Sequence, residues 1–354
     1  MPEVIDTIEL MPLAELTDRE RKVLEAVIQT YVSTAQPAGS RQLAKRFGLG
    51  VSAATIRNTM SDLEDKGYLF HPHTSAGRVP TDVAYRAYVN SILPAPRFSA
   101  QEREALAQQI ASGGSAVEAI LRRAAQSLGV ITQELGVALG PRFDDSRLER
   151  LELVRLSSDR LLVVLSVHGG GVRTIYVDAR SEVADRALAE VTRVINERLS
   201  GLTLREVRGT LAHRLRDSVP GTEELINIFV EEGEQLFDPG LDSGEEVVLG
   251  QASVLAEQPE FASADSMRRL VALTETRHYL AEVLRKRSDA SGVSITIGNE
   301  HDDPALEHFT LVTAQYHVGS LNGVIGVMGP TRMPYDKIIS LVTHTSQLLT
   351  ELLD

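Results

Sequence analysis

Cysteine is absent from all 354 residues. Disulfides, thiolate zinc sites and cysteine nucleophiles are therefore excluded, which fits a reducing compartment. No run approaches the roughly 18 apolar residues that a membrane helix needs. The opening residues, MPEVIDTIEL, are acidic where a signal peptide is basic, so a cytoplasmic protein with no membrane partner is expected. Positive charge is scarce too. The formal net charge is -13 and the sequence pI about 5.2, so most of the surface should repel phosphate within a Debye length. A convergent acid, base and nucleophile set is also missing. Ser166-Val167-His168 lacks the elbow that presents a hydrolase serine, and Gly169-Gly170-Gly171 is not followed by the Lys-Ser or Lys-Thr of a phosphate cradle. His71-Pro72-His73 has no third metal ligand nearby in sequence, and His213, His278 and His344 stand in helical runs without a partner that spacing supplies. Neither an enzyme nor a bound metal or cofactor is expected.

Against that acidic background one stretch stands out. Residues 39 to 60 carry Arg41, Lys45, Arg46 and Arg57 and no acidic side chain, so they contribute +4 while the rest sums to about -17. Local patterning makes this stretch helical. Thr17-Asp18-Arg19-Glu20 is a capping box opening a helix with Val23, Leu24, Val27, Ile28 and Tyr31 on one face. A second helix starts at Ser40, buries Leu43, Ala44 and Phe47, and stops at Gly48, which supplies a left-handed residue. Ser52 caps a third, with Ile56, Met60 and Leu63 buried, and Gly67 ends it before an extended Tyr68-Leu69-Phe70. Residues 71 to 80, punctuated by Pro72, Gly77 and Pro80, read as a loop returning to a second strand. Thr81-Asp82 caps a fourth helix bearing Tyr85, Tyr88, Val89 and Ile92, and Pro94-Ala95-Pro96 marks a domain boundary. Three helices with a short glycine-bounded turn, then a strand pair, spell a winged helix-turn-helix over residues 1–96.

Beyond residue 97 the pattern alternates. Helices are expected around 100–111 and 115–129, then strands near 135–139, 148–156, 160–168 and 172–178, the last two joined as a hairpin. Residues 182 to 237 are helical again, with Leu188, Val191, Val194, Ile195 and Leu199, then Leu225, Ile226, Phe229 and Val230, at helical spacing. A strand over 247–254, a long helix over 266–287, strands at 293–298, 309–318 and 321–328, and a closing helix from Tyr335 to Leu353 follow. The fold class is α+β. An antiparallel-sheet domain, residues 97–181 and 256–354, is interrupted by a mainly helical insert, residues 182–255.

On the third helix, 100° per residue sets Ala54, Thr55, Arg57, Asn58 and Ser61 opposite or beside the buried stripe, facing a groove. Arg57 can donate twice to guanine O6 and N7, Asn58 can pair with adenine N6 and N7, and the methyls of Ala54 and Thr55 suit the thymine methyl. Ser40, Arg41 and Ser52, near helix N-termini, are placed to hold phosphates. In the wing His73, Thr74 and Arg78 complete the candidate set, with Gly77 allowing close backbone approach and Arg78 meeting a phosphate or a narrow minor groove.

The run SAATIRNTMSDLEDKGYLFHPHTSAGRVPTDVAYRAYV closely resembles the heat-inducible transcription repressor HrcA family. The likeness extends more loosely to PEF at 259–261, VIGVMGPTRMPY at 324–335 and the closing helix. The resemblance implies a winged-helix reader, a GAF-like sheet domain and an inserted dimerisation domain. It also implies a homodimer binding double-stranded DNA at the inverted-repeat operator called CIRCE, kept competent by the chaperonin GroEL. Thr59 departs from the family, which usually has an acidic residue after the Asn. An inverted repeat demands a two-fold protein, and the apolar helical block at 182–237 is the expected interface. A metabolite-sensing regulator with a ligand in the GAF-like domain is the alternative.

Overall fold

The computed structural model describes residues 16–73, 76–93, 100–111, 117–141, 146–158, 160–168, 172–178, 184–215, 223–231, 247–288, 292–319 and 321–353. The chain is mixed α and β with antiparallel sheets, an α+β fold. It forms two compact units. One gathers Met1–Ala138, Val248–Gln315 and Ile325–Leu348, and the other Leu139–Val247, Tyr316–Val324 and Leu349–Asp354.

The first unit opens with α1 (Asp18–Thr34), α2 (Ser40–Phe47) and α3 (Ala53–Asp65). The capping box at α1 is formed: Glu20 N donates to Thr17 Oγ1 at 3.3 Å, and Thr17 N donates to the Glu20 carboxylate at 2.7 Å. That carboxylate also meets Lys66 Nζ at 2.9 Å, at the C-terminal end of α3. The Lys66 ammonium, then the Thr17 amide, hold Glu20 below the usual carboxylate range, so one residue both caps α1 and ties it to α3. Gly48 closes α2 at φ +54, as the left-handed stop requires. Val23, Leu24, Val27, Ile28, Leu43, Ile56, Met60 and Leu63 are buried together. Each such side chain contributes about 1.5–3 kcal/mol. The helices thus stand on their own apolar core, and the polar side of α3 has no packing duty. Two short strands follow, β1 (Leu69–Phe70) and β2 (Val79–Pro80), paired antiparallel, then α4 (Asp82–Ile92) capped by Thr81.

The same unit continues through α5 (Ala100–Ala111), α6 (Val117–Thr132) and β3 (Leu135–Leu139). After the second unit's segment it resumes with β7 (Val247–Leu249), α10 (Ser253–Ala256), α11 (Ala264–Glu275) and α12 (Arg277–Arg285). Strands β8 (Val293–Ile297), β9 (Phe309–Val318) and β10 (Leu321–Pro330) and helix α13 (Tyr335–Leu353) complete the run. The sheet order is β7-β3-β10-β9-β8. Two elements differ from expectation. The strand expected to reach 254 stops at Leu249, where Gly250 N donates to Gly136 O at 2.7 Å before the chain turns helical. The single helix expected over 266–287 is broken at Thr276, whose ψ of 66° is not helical. Its hydroxyl bonds back to Ala272 O at 2.8 Å, a local side-chain alternative to the helical ladder that apolar spacing does not register.

The second unit holds β4 (Leu148–Arg155), β5 (Arg160–Val167), β6 (Val172–Asp178), α7 (Asp185–Leu199), α8 (Leu204–Leu215) and α9 (Glu223–Glu231). The expected hairpin is present, with Leu162 opposite Tyr176 and Ser166 opposite Val172, while its glycine turn lies outside the described residues. Strands β4-β5-β6 form a sheet of their own. They were expected in one sheet with the strands after 292, but their apolar sides share a core with the helices of 185–231 instead. The compact unit that holds them runs from Leu139 to Val247, with Tyr316–Val324 and Leu349–Asp354. Pro94-Ala95-Pro96 also lies outside the described residues. Asn196 on α7 fixes the docking, its side-chain oxygen accepting from Leu151 N at 2.8 Å and its amide donating to Leu151 O at 2.7 Å.

Most of the apolar face expected at a helical interface is used at home. Leu188, Val191, Val194, Ile195, Leu199, Ile226 and Phe229 are buried within the single chain, whereas Val230 is exposed. The most exposed apolar residues of this unit lie at the sheet, while Val230 on α9 and Leu352 are exposed to a lesser degree. Val172 is 65% exposed, Tyr176 63%, and Val154 and Leu156 are exposed as well.

Candidate nucleic-acid interface

The third helix carries the site. Ser52 caps it, its Oγ accepting from Thr55 N at 3.1 Å and standing 3.0 Å from Thr55 Oγ1. Ile56, Thr59, Met60 and Leu63 are buried, whereas Ala54, Arg57, Asn58 and Ser61 are exposed. Thr55 is half-buried, with its hydroxyl turned to Ser52. The residues expected at the groove therefore share the solvent side of one helix, apart from Thr55 at its margin. Thr59 is 4% exposed, its hydroxyl donating to Thr55 O at 3.1 Å. The departure from the family pattern thus falls on the packed side.

Cations from α2 lie on the preceding helix. Arg41 and Lys45, one turn apart, are exposed and line an open depression with Gln42 and Arg46. Arg46 Nη1 donates to Ser33 Oγ at 3.1 Å and its guanidinium sits over the Phe47 ring, so it is partly occupied in packing. Ser40 is the first residue of α2 and half-buried.

Around the strand pair the expectation changes. His73 is exposed and Thr74 lies outside the described residues. Arg78 is not a free cation: its side chain is 12% exposed and Nη2 lies 2.7 Å from Glu64 Oε2. His71 Nδ1 meets the other oxygen of that carboxylate at 2.6 Å. The backbones of Arg78 and Ala38 exchange hydrogen bonds at 2.8 and 2.9 Å. Gly77 makes this possible, since a Cβ there would stand 2.3 Å from Ala38 O. The close approach anticipated toward a ligand is made to the protein's own backbone, and Arg78 anchors the ribbon to α3. Arg78→Ala is therefore expected to lower stability by about 1–3 kcal/mol by leaving Glu64 without its charged donor. In the same variant the salt dependence of binding should stay as in wild type. Thermal melts and binding at several salt concentrations check both, and a flattened salt slope would restore the phosphate assignment.

Sequence reasoning missed a second group of side chains, Asp82, Arg86, Glu260, Asn299, Glu300 and Arg332. Four of them stood in view: Asp82 and Arg86 lie in TDVAYRAYV, Glu260 is the middle of PEF and Arg332 lies in GPTRMPY, and the last two bond to each other. Recurring motifs without a chemical role were the available signal.

Among the described residues no cluster of three potential ligands could hold a metal ion, and no helix is long and apolar enough to cross a membrane. The described residues thus include a helical head that turns a cationic surface to solvent, acid-free over residues 39 to 60, and the relatives that match the chain are transcription regulators in class. The chain's relatives are named as regulators, not enzymes. The HrcA protein C terminal domain family matches residues 118–339. The heat-inducible transcription repressor HrcA of Chlorobium phaeobacteroides (strain BS1) is 41% identical over 96% of this chain and 99% of its own. That of Geobacter sulfurreducens is 37% identical over 97% and 99%. The chain belongs to the HrcA family of heat-inducible transcription repressors. A crystal structure described as a hypothetical protein at 2.2 Å resolution aligns with a TM-score of 0.68 at 23% identity, covering 96% of this chain and 99% of that one, which shows a shared fold alone.

Proposed function

We propose that this protein is a repressor that binds an inverted-repeat operator as a homodimer, each copy laying α3 in the major groove of duplex DNA. The observation that carries the reading is the division of α3 into a packed side and an exposed side bearing Arg57 and Asn58, beside the cations of α2. Residues 1–96 act as the winged helix-turn-helix, and the five-stranded sheet with its helices as the GAF-like domain. Arg57 and Asn58 read base edges, with Ala54, Thr55 and Ser61 at the groove wall. Ser40, Arg41, Ser52 and His73 meet phosphates, and Lys45 joins them. Family resemblance supports CIRCE as the operator, GroEL as the partner that keeps the repressor competent, and a cytoplasmic setting.

The homodimer rests on the second unit. The outer side of β4-β5-β6 carries rows in register, Val154 with Leu162 and Tyr176, and Glu152 with Val164 and Thr174. Its ends bear both signs, Arg150 with Glu152 and Arg160 with Asp178. An apolar centre with a rim of mixed charge is self-complementary, as a two-fold interface requires.

Replacing Arg41 and Lys45 by Ala is expected to weaken binding alike for true and scrambled duplexes. The slope of log K against log salt should flatten by about 0.9 per lost phosphate contact. An unchanged slope would remove α2 from the interface. The reading as a whole is tested by gel-shift titration of a palindromic CIRCE duplex against a scrambled one, with and without GroEL. Preference for the palindrome is the supporting result.

A further inference from the structure

Within the first unit, α4 and α1 are joined to the sheet side by directional polar bonds that the DNA-reading face does not use. Arg86 on α4 donates from Nε to Glu300 Oε1 at 2.6 Å, from Nη2 to Glu300 Oε2, and from Nη2 to the Ile295 carbonyl at 2.7 Å. Asp82, in the first turn of α4, accepts from Asn299 N at 3.0 Å and Asn299 Nδ2 at 2.9 Å. Arg332 donates to the Val32 carbonyl in the last turn of α1 at 2.8 Å, while its Nη2 holds Glu260 at 3.0 Å. The paired side chains are well covered, Arg86 19% exposed and Arg332 15%.

Two further features show that the seat is built. Gly298 has φ +50, and a Cβ there would stand 2.2 Å from Asp82 Oδ2, so only glycine admits this carboxylate. Tyr85 of α4 packs on Tyr335 with ring centroids 5.7 Å apart, both buried. Apolar contact holds two surfaces together without fixing their angle. Beside this contact lies an open cleft of about 340 Å³, lined by Thr81, Asn299, Thr331 and their neighbours. The three polar ties add direction to that contact.

We propose that Arg86, Asp82 and Arg332 are positioning residues that fix the orientation of the helical head on its sheet, and thereby the half-site spacing a dimer accepts. The ties act through α4 and α1 on α3, which shares their core, and touch no nucleic acid. Removing one member of the covered Arg86–Glu300 pair leaves the other charge uncompensated, so that tie resists rearrangement, and the ties of Asp82 and Arg332 are hydrogen bonds to a charged group. This inference rests on the DNA-binding dimer proposed above.

The test uses full-length protein and three duplexes: an inverted repeat with the preferred spacer, the same repeat lengthened by about five base pairs, half a helical turn, and a lone half-site. Wild type is expected to favour the preferred spacer by about tenfold or more, because a shifted site cannot be engaged at both ends. Arg86→Gln, Arg332→Gln and the double variant should bring that ratio below about threefold while lone half-site affinity stays within about twofold. A merely structural role would lower all three affinities together. Glu300→Gln, which keeps the side chain's shape, provides a second reading if Arg86→Gln melts early. Folded variants that discriminate spacers as wild type does overturn the seat alone, and so does an equal fall on all three duplexes. Wild-type protein that binds none of the duplexes overturns the DNA-binding reading and the seat with it.

Discussion

Val154→Lys combined with Tyr176→Lys is expected to give a folded monomer whose operator affinity is lower by about 10²–10⁴, the loss that follows when two linked binding events become independent. Both side chains lie in one cross-strand row through Leu162, on the side of β4-β5-β6 away from the core. The inward set, Leu151, Leu161, Val163, Leu165 and Val177, is untouched. Two lysines per copy would place four like charges across a two-fold axis, desolvated and unpaired, which opposes association strongly. Sedimentation gives the oligomeric state, melting the fold, and gel shift the affinity. A double variant that remains a dimer with wild-type affinity would move the interface elsewhere.

The second large effect concerns sequence discrimination. Arg57→Ala and Asn58→Ala are each expected to cost about 1–3 kcal/mol of preference at particular operator positions, roughly five- to 150-fold. Affinity for scrambled DNA should change little for Asn58→Ala. For Arg57→Ala it should fall only by the share that a lost charge takes from every duplex. Both side chains are exposed and α3 keeps its buried Ile56, Met60 and Leu63, so stability is not the confounding variable. Position-by-position competition with substituted operators measures the pattern. An unaltered ratio of true to scrambled operator in Arg57→Ala would show that this residue does not read bases.

Legibility followed locality. Thr17, Gly48, Ser52, Gly67 and Thr81 mark helix ends by chemistry contained within a few residues, and the head came out as spaced. The exposed set on α3 was equally readable, since helical geometry alone divides Ile56 and Met60 from Arg57 and Asn58. The surroundings of Arg78 were not legible, because its partner, Glu64, and the Ala38 backbone are reached only when the chain folds back. Gly77 showed the same limit, for a glycine announces a close approach without saying to what. Strand periodicity found β4, β5 and β6 but not their sheet, because alternation fixes which side is apolar and not which helices cover it. Likewise, apolar spacing in α7 and α9 could not distinguish a side packed at home from one kept for a second subunit. The ties at Arg86 and Arg332 join residues more than 200 positions apart, beyond any pattern of spacing.

The most direct measurement is an equilibrium competition between a palindromic CIRCE duplex and a scrambled duplex of equal length for the purified protein at moderate salt, with chaperonin present. Binding to the palindrome tighter by about 10³ or more is the expected result, in keeping with specific regulators. Equal affinity for the two duplexes, from protein shown to be folded and dimeric, would contradict groove reading by α3.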